Sequence, residues 1–301
     1  MLDIVVIGGG PAGLSAALYA SRAGASVKII EGGAPGGKLN LTAKIENYPG
    51  VKEQMGPELA YEMYEQALAY GATLDMKEVA EIKDLGDHKI VVADQEEIEC
   101  KNVIIATGTK ERLMNVPGEE EMTGRGVSYC AVCDGPFFKG KEVAVVGGGN
   151  SAIEEAIYLA SIVEKVHIVM RRDVFRADQY IVDKAKANEK IVFHFKKKPH
   201  HVMIEDNKVA GLMLEDVDSG DLSPLEVSAI FPFIGLDPIT GFVKNLGIVN
   251  EHGYIDVDDN METKIKGIFA VGDVRRKTLR QVVTAANDGA IAGQYIANHL
   301  R

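Results

Sequence analysis

Two cysteines and a carboxylate stand together in the middle of the chain, in the order Cys130, two other residues, Cys133 and Asp134. Two thiols at this spacing at the start of a helix can pass between dithiol and disulfide, because the helix dipole favours one of them as the attacking thiolate. An adjacent acid could protonate the leaving sulfur, and Asp134 is placed for that role. On spacing alone, half of a metal site or two inert core thiols would also explain the cysteines.

The rest of the composition narrows the class of protein. Three cysteines are too few for a secreted disulfide framework or for a zinc site of two CxxC pairs. Cys100 comes directly before an apolar strand, and we expect its side chain to pack in the hydrophobic core. A formal net charge of −11 leaves no basic field for nucleic acid, and no apolar run reaches the ~18 residues of a membrane span. The sequence also opens without a signal-peptide pattern, so we expect a cytoplasmic protein with no nucleic-acid or membrane partner.

A glycine-rich loop near the N-terminus indicates dinucleotide binding. The strand-like run LDIVVI leads into a GxGxxG and then into a helix, a pattern that lets backbone N–H groups at a helix N-terminus approach a pyrophosphate. Glu31 ends the next strand, where a carboxylate accepts hydrogen bonds from a ribose. The cofactor-binding residues predicted here are Gly8, Gly10, Pro11, Ala12, Gly13 and Glu31.

A second loop of the same kind follows the strand-like run KEVAVV, now in the GxGxxA form. Its predicted cofactor-binding residues are Gly147, Gly149, Asn150, Ser151 and Ala152. At the end of the following strand Arg171 and Arg172 stand where an acid would be, with Arg176 nearby. Guanidinium groups can hold a 2′-phosphate, so these arginines favour NADPH over NADH. Alternatively, they form salt bridges with Asp173 or Asp178 at a solvated helix start.

Further motifs give the sequence a family resemblance. The segment GGKLNLTAKIENYPG at 36–50, ATG at 106–108 and the late GDV resemble flavoproteins with two dinucleotide-binding domains. Together with CAVCDG, GGGNSA and RRDVFRA they make nearly the whole chain similar to low-molecular-weight bacterial thioredoxin reductases. The resemblance implies an α/β fold of two Rossmann-like three-layer dinucleotide-binding domains, the second inserted in the first. The FAD-binding domain would comprise 1–112 and 243–301, and the NADPH-binding domain with the redox CxxC would comprise 113–242.

The resemblance also implies which residues hold the flavin. In the family the aspartate of GDV, here Asp273, hydrogen-bonds the ribityl chain or its phosphate, and Arg280 and Gln281 match residues near the isoalloxazine. The other positions carried over from the family's flavin motifs are Gly36, Gly37, Lys38, Leu39, Asn47, Ala106, Thr107, Gly108, Gly272 and Val282. This chain departs from the family at Lys38, where glutamine is frequent, and at Met170, which replaces the histidine of HRRD.

The activity that the resemblance implies is thioredoxin-disulfide reduction, with electrons passing from NADPH through FAD and the cysteine pair to thioredoxin. Cys133 would face the flavin, Cys130 would attack the thioredoxin disulfide, and Asp134 would be the acid/base. A homodimer, a rotation of the inserted domain and a reaction without a metal are implied as well. The alternatives are a related flavin-dependent disulfide reductase with another electron donor or protein acceptor, and a non-catalytic flavin redox sensor.

Overall fold

The structure, a computed structural model, describes residues 1–42 and 45–300. Ala43 and Lys44, which fall in the motif at 36–50, and Arg301, at the end of the expected FAD-binding domain, lie outside the described residues. Contacts divide the chain into two compact units, Met1–Lys110 with Asp237–Arg301, and Glu111–Leu236. In sequence the second unit is therefore inserted in the first, and which dinucleotide each unit binds stays a prediction.

The described chain contains both strands and helices in each unit. The strands are β1 (Leu2–Ile7), β2 (Val27–Glu31), β3 (Thr73–Met76), β4 (Val79–Asp84), β5 (Lys89–Ala93), β6 (Glu96–Ile105), β7 (Thr109–Glu111), β8 (Glu142–Val146), β9 (Lys165–Met170), β10 (Ile191–Phe195), β11 (Lys197–Glu205), β12 (Lys208–Asp216), β13 (Leu222–Glu226), β14 (Ala229–Pro232), β15 (Leu236–Pro238) and β16 (Ile268–Ala270). The α-helices are α1 (Pro11–Arg22), α2 (Gly56–Ala69), α3 (Glu119–Met122), α4 (Ala131–Asp134), α5 (Asn150–Ala160), α6 (Gln179–Lys186) and α7 (Val282–Asn298). Short 3-10 helices cover Gly37–Leu41, Gly135–Phe138, Gly241–Leu246 and Gly272–Val274.

In the first unit one sheet runs in the order β3-β2-β1-β6-β5-β4, with β16 also beside β6. Strands β3, β2, β1, β6 and β16 are parallel, whereas β4, β5 and the first half of β6 form an antiparallel meander. Ile4, Val5 and Val6 are fully buried, as expected of a parallel strand covered on both faces. Because Ile7 pairs with both Ile30 and Ile105, the segments that follow β1, β2 and β6 all leave the same edge of the sheet.

Two helices, α1 and α7, pack closely on one face of this sheet. A side chain at Gly289 would collide with the carbonyl of Ala12, and one at Gly293 would collide with the carbonyl of Ala16. The two helices can therefore approach backbone to backbone only because α7 carries glycine at these positions. This contact fixes the N-terminal end of α1, where the first glycine loop lies.

The second unit has a parallel sheet in the order β10-β9-β8-β14. The residues of α5 and α6 share one hydrophobic cluster with one face of this sheet. The opposite face shares a cluster with the antiparallel sheet β11-β12-β13. The second glycine loop connects the end of β8 to α5, which is the same strand, loop and helix arrangement as in the first unit. Among the helices within residues 1–42 and 45–300, none is long and apolar enough to cross a membrane.

Candidate active site

The first glycine loop has the shape that a dinucleotide pyrophosphate requires. Gly8 adopts φ +107°, and a Cβ there would collide with the carbonyl of Ala106, so the turn accepts only glycine. Gly10 is the N-cap of α1 and has open space around the position of a Cβ. Pro11 follows at the first helical position, where its missing N–H leaves no lost hydrogen bond. The N-terminal N–H groups of α1 thus point into an open space that suits phosphate.

Glu31 holds the backbone of this loop. Its Oε2 accepts a hydrogen bond from the N–H of Gly9 at 2.6 Å, and its Oε1 accepts one from the N–H of Gly33 at 2.8 Å. The carboxylate therefore stands beside the glycine loop, as the sequence predicted. A carboxylate has acceptor sites beyond these two, so the same oxygens can also accept from a ribose hydroxyl.

Distant segments of the first unit meet around the start of α1. The N–H of Gly36 donates to the carbonyl of Gly9 at 2.8 Å, and a Cβ at Gly37 would lie 3.4 Å from the Cα of Gly10. A Cβ at Gly272 would lie 2.8 Å from the Cβ of Ala12. The motifs predicted from the sequence at 36–37 and 272–273 are therefore brought to the first glycine loop.

Other predicted flavin residues are also placed by this unit. The amide of Asn47 donates to Oε1 of Gln281 at 3.1 Å, which joins two predicted positions that are far apart in sequence. Thr107 donates its hydroxyl to the carbonyl of Ile239 at 2.8 Å. Leu39, by contrast, is buried in a hydrophobic cluster with Ile45 and neighbouring apolar residues, so its side chain packs in the core. The other predicted positions in this unit are Gly13, Lys38, Ala106, Gly108, Arg280 and Val282.

Asp273 carries an unsatisfied acceptor. Its Oδ1 is buried, and no described residue donates a hydrogen bond to it. Burial raises the pKa of this carboxyl, although the positive charges of Lys277, Arg280 and Lys38 act in the opposite direction. A buried carboxylate oxygen without a donor is costly in a folded protein. The arrangement suits a ligand that brings a hydroxyl donor to this point.

Asp288 fixes the segment that carries Asp273. Asp288 was not among the residues predicted from the sequence. Its side chain is only 1% exposed. The carboxylate accepts hydrogen bonds from the N–H of Gly272 at 3.1 Å, from two guanidinium nitrogens of Arg275 at 2.7 Å each, and from the ammonium of Lys277 at 2.7 Å. These cations hold the pKa of Asp288 below its usual value against the effect of burial. The one signal for Asp288 in the sequence is that it is a single acid within a stretch of small residues, NDGAIAG.

The second glycine loop repeats the geometry of the first. Gly147 has φ +144°, and a Cβ there would collide with the carbonyl of Phe233. Gly149 is the N-cap of α5, with open space at its Cβ position, and Ala152 is fully buried. Ser151 is exposed on the first turn of the helix. The N-terminus of α5 is thus also open to a phosphate.

Asn150 and Met170 make protein contacts around this second loop. The amide of Asn150 donates to Oδ2 of Asp178 at 3.0 Å, and its carbonyl oxygen accepts from the N–H of Asp178 at 2.7 Å. Met170 is buried at the end of β9, and its Cε lies 2.6 Å from the position of a Cβ at Gly148. The methionine that departs from the family pattern therefore packs directly against the loop.

The arginines after β9 are free to meet a ligand. Arg171, Arg172 and Arg176 are exposed, and no ion pair joins any of them to a described carboxylate. The described residues therefore show no salt bridge from these arginines to Asp173 or Asp178. The backbone N–H of Arg176 donates to the carbonyl of Gly148 at 2.9 Å, which places this segment beside the second glycine loop.

The two cysteines of the CxxC form a disulfide, with their Cα atoms 5.3 Å apart. Cys130 is the N-cap of α4, and the N–H of Cys133 points to its sulfur at 3.1 Å. Cys130 is half-buried and Cys133 is exposed, so this is not a pair of inert core thiols. Asp134 directly follows and is half-buried. Within the described part of the chain, no group of three His, Cys, Asp or Glu residues could hold a metal ion.

The remaining cysteine is inert. Cys100 is fully buried in a hydrophobic cluster beneath the sheet of the first unit, as expected from the sequence. Burial raises the pKa of its thiol to about 12. A thiol with such a high pKa is almost entirely protonated at neutral pH and is a poor nucleophile.

Glu155 on α5 is a half-buried acid that the sequence did not single out. Its Oε2 is buried without a hydrogen-bond partner among the described residues, and burial, with the charge of Glu154, raises the pKa from 4.5 to about 7. Between those pH values the folded protein holds a proton that the unfolded chain has released. The free energy of unfolding should therefore fall as pH rises through this interval, by on the order of 3 kcal/mol.

We expect Glu155→Gln to remove this pH dependence, because glutamine cannot ionise. The variant should unfold at a higher urea concentration than the parent at pH 8, and the difference should shrink at pH 5. Glu164→Gln, at an exposed position of the same unit, should keep the parent's pH dependence. Urea unfolding of all three proteins at both pH values provides the test, and the same pH dependence in parent and Glu155→Gln would contradict it.

Comparison with known proteins agrees with this geometry. A family model described as pyridine nucleotide-disulphide oxidoreductase matches residues 2–289, so the chain belongs to that family of oxidoreductases. Thioredoxin reductase of Bacillus subtilis (strain 168) is 47% identical to it, over 99% of this chain and 94% of the relative. The crystal structure of Lactococcus lactis thioredoxin reductase has 45% identity and a TM-score of 0.97, over 99% of this chain and 98% of that one. Thioredoxin reductase of T. acidophilum has 34% identity and a TM-score of 0.95, over 99% and 98% of the two chains.

Two predictions from the sequence are confirmed by these similarities. The resemblance to low-molecular-weight thioredoxin reductases holds over nearly the entire chain. The α/β fold with two Rossmann-type domains is that of the matching structures. The cysteine pair at disulfide distance fits the redox-active site of an enzyme of this kind. The residues that bind each cofactor remain predictions.

Proposed function

We propose that this enzyme is a thioredoxin-disulfide reductase that takes two electrons from NADPH, through FAD, to the Cys130/Cys133 pair and on to thioredoxin. The observation that carries the proposal is the accessible Cys130–Cys133 disulfide, at the start of a short helix in the unit that also holds the second glycine loop. The names of the relatives support thioredoxin as the acceptor.

The first unit would hold FAD, which when bound supplies a two-electron carrier between a nicotinamide and a disulfide. The open N-terminus of α1 beside Gly10 would bind the pyrophosphate, and Glu31 would accept from the adenosine ribose. The buried Oδ1 of Asp273 would accept a hydrogen bond from the ribityl chain. Asn47 and Gln281, bonded to each other, would line the same site.

The second unit would hold NADPH. The open N-terminus of α5 beside Gly149 would bind its pyrophosphate. The exposed guanidinium groups of Arg171 and Arg172 would bind the 2′-phosphate, which NADH lacks. Because these guanidinium groups pair with no described carboxylate, binding the phosphate breaks no ion pair.

The dithiol form would reduce thioredoxin by thiol–disulfide exchange. The Cys130 thiolate attacks one sulfur of the thioredoxin disulfide, a mixed disulfide forms, and the other thioredoxin sulfur leaves as a thiolate. Cys133 then attacks Cys130, which restores the enzyme disulfide and releases the second thioredoxin sulfur. Asp134 would protonate a leaving sulfur. Two electrons and two protons have then passed from the enzyme dithiol to thioredoxin.

The first test is the flavin content of the purified protein. We expect a yellow protein with about one FAD per chain, bleached rapidly by NADPH without oxygen. Asp273→Ala should raise the dissociation constant for FAD by about 10-fold or more, because a hydrogen bond to a charged group contributes about 1.5–3 kcal/mol. Asp259→Ala, at an exposed position of the same unit, is the matched control. A protein that gains no flavin absorbance on incubation with FAD would contradict the proposal.

Asp134→Asn tests the acid/base role. The variant should fold, bind FAD and accept electrons from NADPH at the parent rate, because hydride transfer does not involve this side chain. Its turnover with thioredoxin should fall by about 10²-fold, since asparagine cannot deliver a proton. Stopped-flow flavin reduction beside steady-state turnover separates the two steps. Parent-like turnover would show that another group protonates the leaving sulfur.

A homodimer, which rests on the family resemblance, and a cytoplasmic location, which is expected from the sequence, complete the proposal. Sedimentation of the FAD-loaded protein at micromolar concentration would test the dimer. The rotation of the inserted domain implied by the resemblance would let one flavin serve both the nicotinamide and the disulfide in turn.

A further inference from the structure

A buried carboxylate is hydrogen-bonded to the residue that precedes the redox cysteines. Glu119, the first residue of α3, is 3% exposed. Its Oε1 accepts a hydrogen bond from the N–H of Met114 at 2.8 Å, and its Oε2 accepts one from the N–H of Asn115 at 2.6 Å. The hydroxyl of Tyr129 donates to the same Oε1 at 2.6 Å. Three donors thus satisfy a carboxylate that burial would otherwise make costly.

Tyr129 connects this carboxylate to the redox site, because it directly precedes Cys130. Its ring packs against the hydrophobic cluster that contains Met122 and Val127. Burial, together with the hydrogen bond to Glu119, raises the pKa of the Tyr129 hydroxyl, so the group remains a donor at any working pH. The side chain is therefore held at both its ring and its oxygen.

The residue before Tyr129 is anchored as well. Ser128 is buried, and its Oγ accepts from the N–H of Cys130 at 3.1 Å and donates to the carbonyl of Cys130 at 3.3 Å. Two successive residues on the N-terminal side of Cys130 are thus fixed by buried polar contacts. The backbone orientation at Cys130 is set by these anchors.

The backbone orientation at Cys130 affects the acidity of its thiol. Cys130 is the N-cap of α4, with φ −132° and ψ 97°, and its sulfur accepts from the N–H of Cys133 at 3.1 Å. A hydrogen bond from a backbone N–H favours the charged form of an acceptor, so in the dithiol enzyme it stabilises the Cys130 thiolate. A tilt of the backbone at Cys130 would lengthen this hydrogen bond and remove part of that stabilisation.

We propose that Glu119 and Tyr129 are positioning residues for the attacking thiol: their hydrogen bond holds the backbone before Cys130 so that its sulfur faces the N–H of Cys133 and is kept as a thiolate. The inference rests on the proposed role of Cys130 as the thiol that attacks the substrate disulfide. The hydrogen bond between Glu119 and Tyr129 would then support the reactivity of Cys130 in addition to holding the loop against α3.

The test measures the acidity of one thiol directly. In the FAD-loaded Cys133→Ser protein, Cys130 is the reactive thiol, because Cys100 is fully buried, and the backbone N–H at position 133 remains. The rate of alkylation of Cys130 by iodoacetamide is followed from pH 5 to pH 10 by mass spectrometry of its peptide. Adding Tyr129→Phe should raise the midpoint of this profile by about half a pH unit to one unit. Tyr180→Phe, on an exposed side chain of the same unit, should leave it unchanged.

A second variant separates positioning from a merely structural role. Glu119→Gln leaves one oxygen for three donors, so it should shift the midpoint in the same direction. The double variant should shift no further than the larger single shift, because both changes act on the same hydrogen bond. An unchanged midpoint in folded Tyr129→Phe would overturn the inference. The alkylation needs neither NADPH nor thioredoxin, so failure of the proposed function would appear separately, as a parent protein without thioredoxin turnover.

Discussion

Replacing either Cys130 or Cys133 by serine should abolish thioredoxin reduction while NADPH still reduces the flavin. Two-electron exchange needs an attacking and a resolving thiol, and neither variant keeps both. Hydride transfer to the flavin involves no sulfur, so its rate should remain close to that of the parent. The measurement is stopped-flow flavin reduction by NADPH beside steady-state turnover with thioredoxin.

The two variants should also differ from each other. Cys130→Ser retains the thiol that the resemblance places next to the flavin, so a long-wavelength flavin–thiolate absorbance is expected in that variant and not in Cys133→Ser. Cys100→Ala is the matched control, because Cys100 is buried away from solvent, and it should turn over thioredoxin at the parent rate. Substantial turnover in either serine variant would mean that this pair is not the redox-active one.

Changing Arg171 and Arg172 together to alanine should weaken NADPH selectively. If each guanidinium contributes about 1.5–3 kcal/mol through charge-assisted hydrogen bonds to the 2′-phosphate, kcat/KM for NADPH should fall roughly 10²- to 10⁴-fold. NADH has no such phosphate, so its kcat/KM should change little. Flavin reduction measured with both cofactors gives the comparison.

Arg125→Ala controls for the loss of an exposed positive charge in the same unit. It should leave the ratio of kcat/KM values for NADPH and NADH at the parent value. An equal loss for both cofactors in the Arg171 and Arg172 double variant would refute the assignment of these side chains to the 2′-phosphate. It would then favour the alternative of a different electron donor, for which Met170 beside Gly148 is the first position to examine.

Local patterns predicted the parts of the site that depend on backbone shape. Gly8 and Gly147 stand in tight turns at the ends of β1 and β8, where a strand, loop and helix pattern predicts them. Glu31 could be placed for the same reason, since it ends the next parallel strand and so leaves the sheet at the same edge. Spacing within one βαβ unit is enough to fix these positions.

The residues that sequence reasoning missed act over long distances or through burial. Asp288 and Gly272 are 16 positions apart, and only the packing of α7 on α1 brings them together. Glu119 and Tyr129 are 10 positions apart with no repeating spacing between them. Adjacent glutamates at 154 and 155 look alike in sequence, yet Glu154 is exposed, whereas Glu155 buries one carboxylate oxygen and has a raised pKa. Such differences arise from tertiary packing, which local periodicity does not encode.

Side-chain partners also decided questions that the motifs left open. The arginines after β9 had two possible partners in sequence, and Asp178 is instead bonded to Asn150. Leu39 lies in a motif carried over from the family, but its side chain contributes to a hydrophobic cluster. A motif therefore locates a segment at a site, whereas the function of each side chain depends on its contacts.

Steady-state reduction of purified thioredoxin by the FAD-loaded enzyme, with NADPH and with NADH, shows whether electrons from NADPH reach the thioredoxin disulfide. We expect catalytic reduction of the thioredoxin disulfide with NADPH and far slower reduction with NADH at the same concentration. A protein that binds FAD and is bleached by NADPH, yet leaves the thioredoxin disulfide intact, would contradict this expectation.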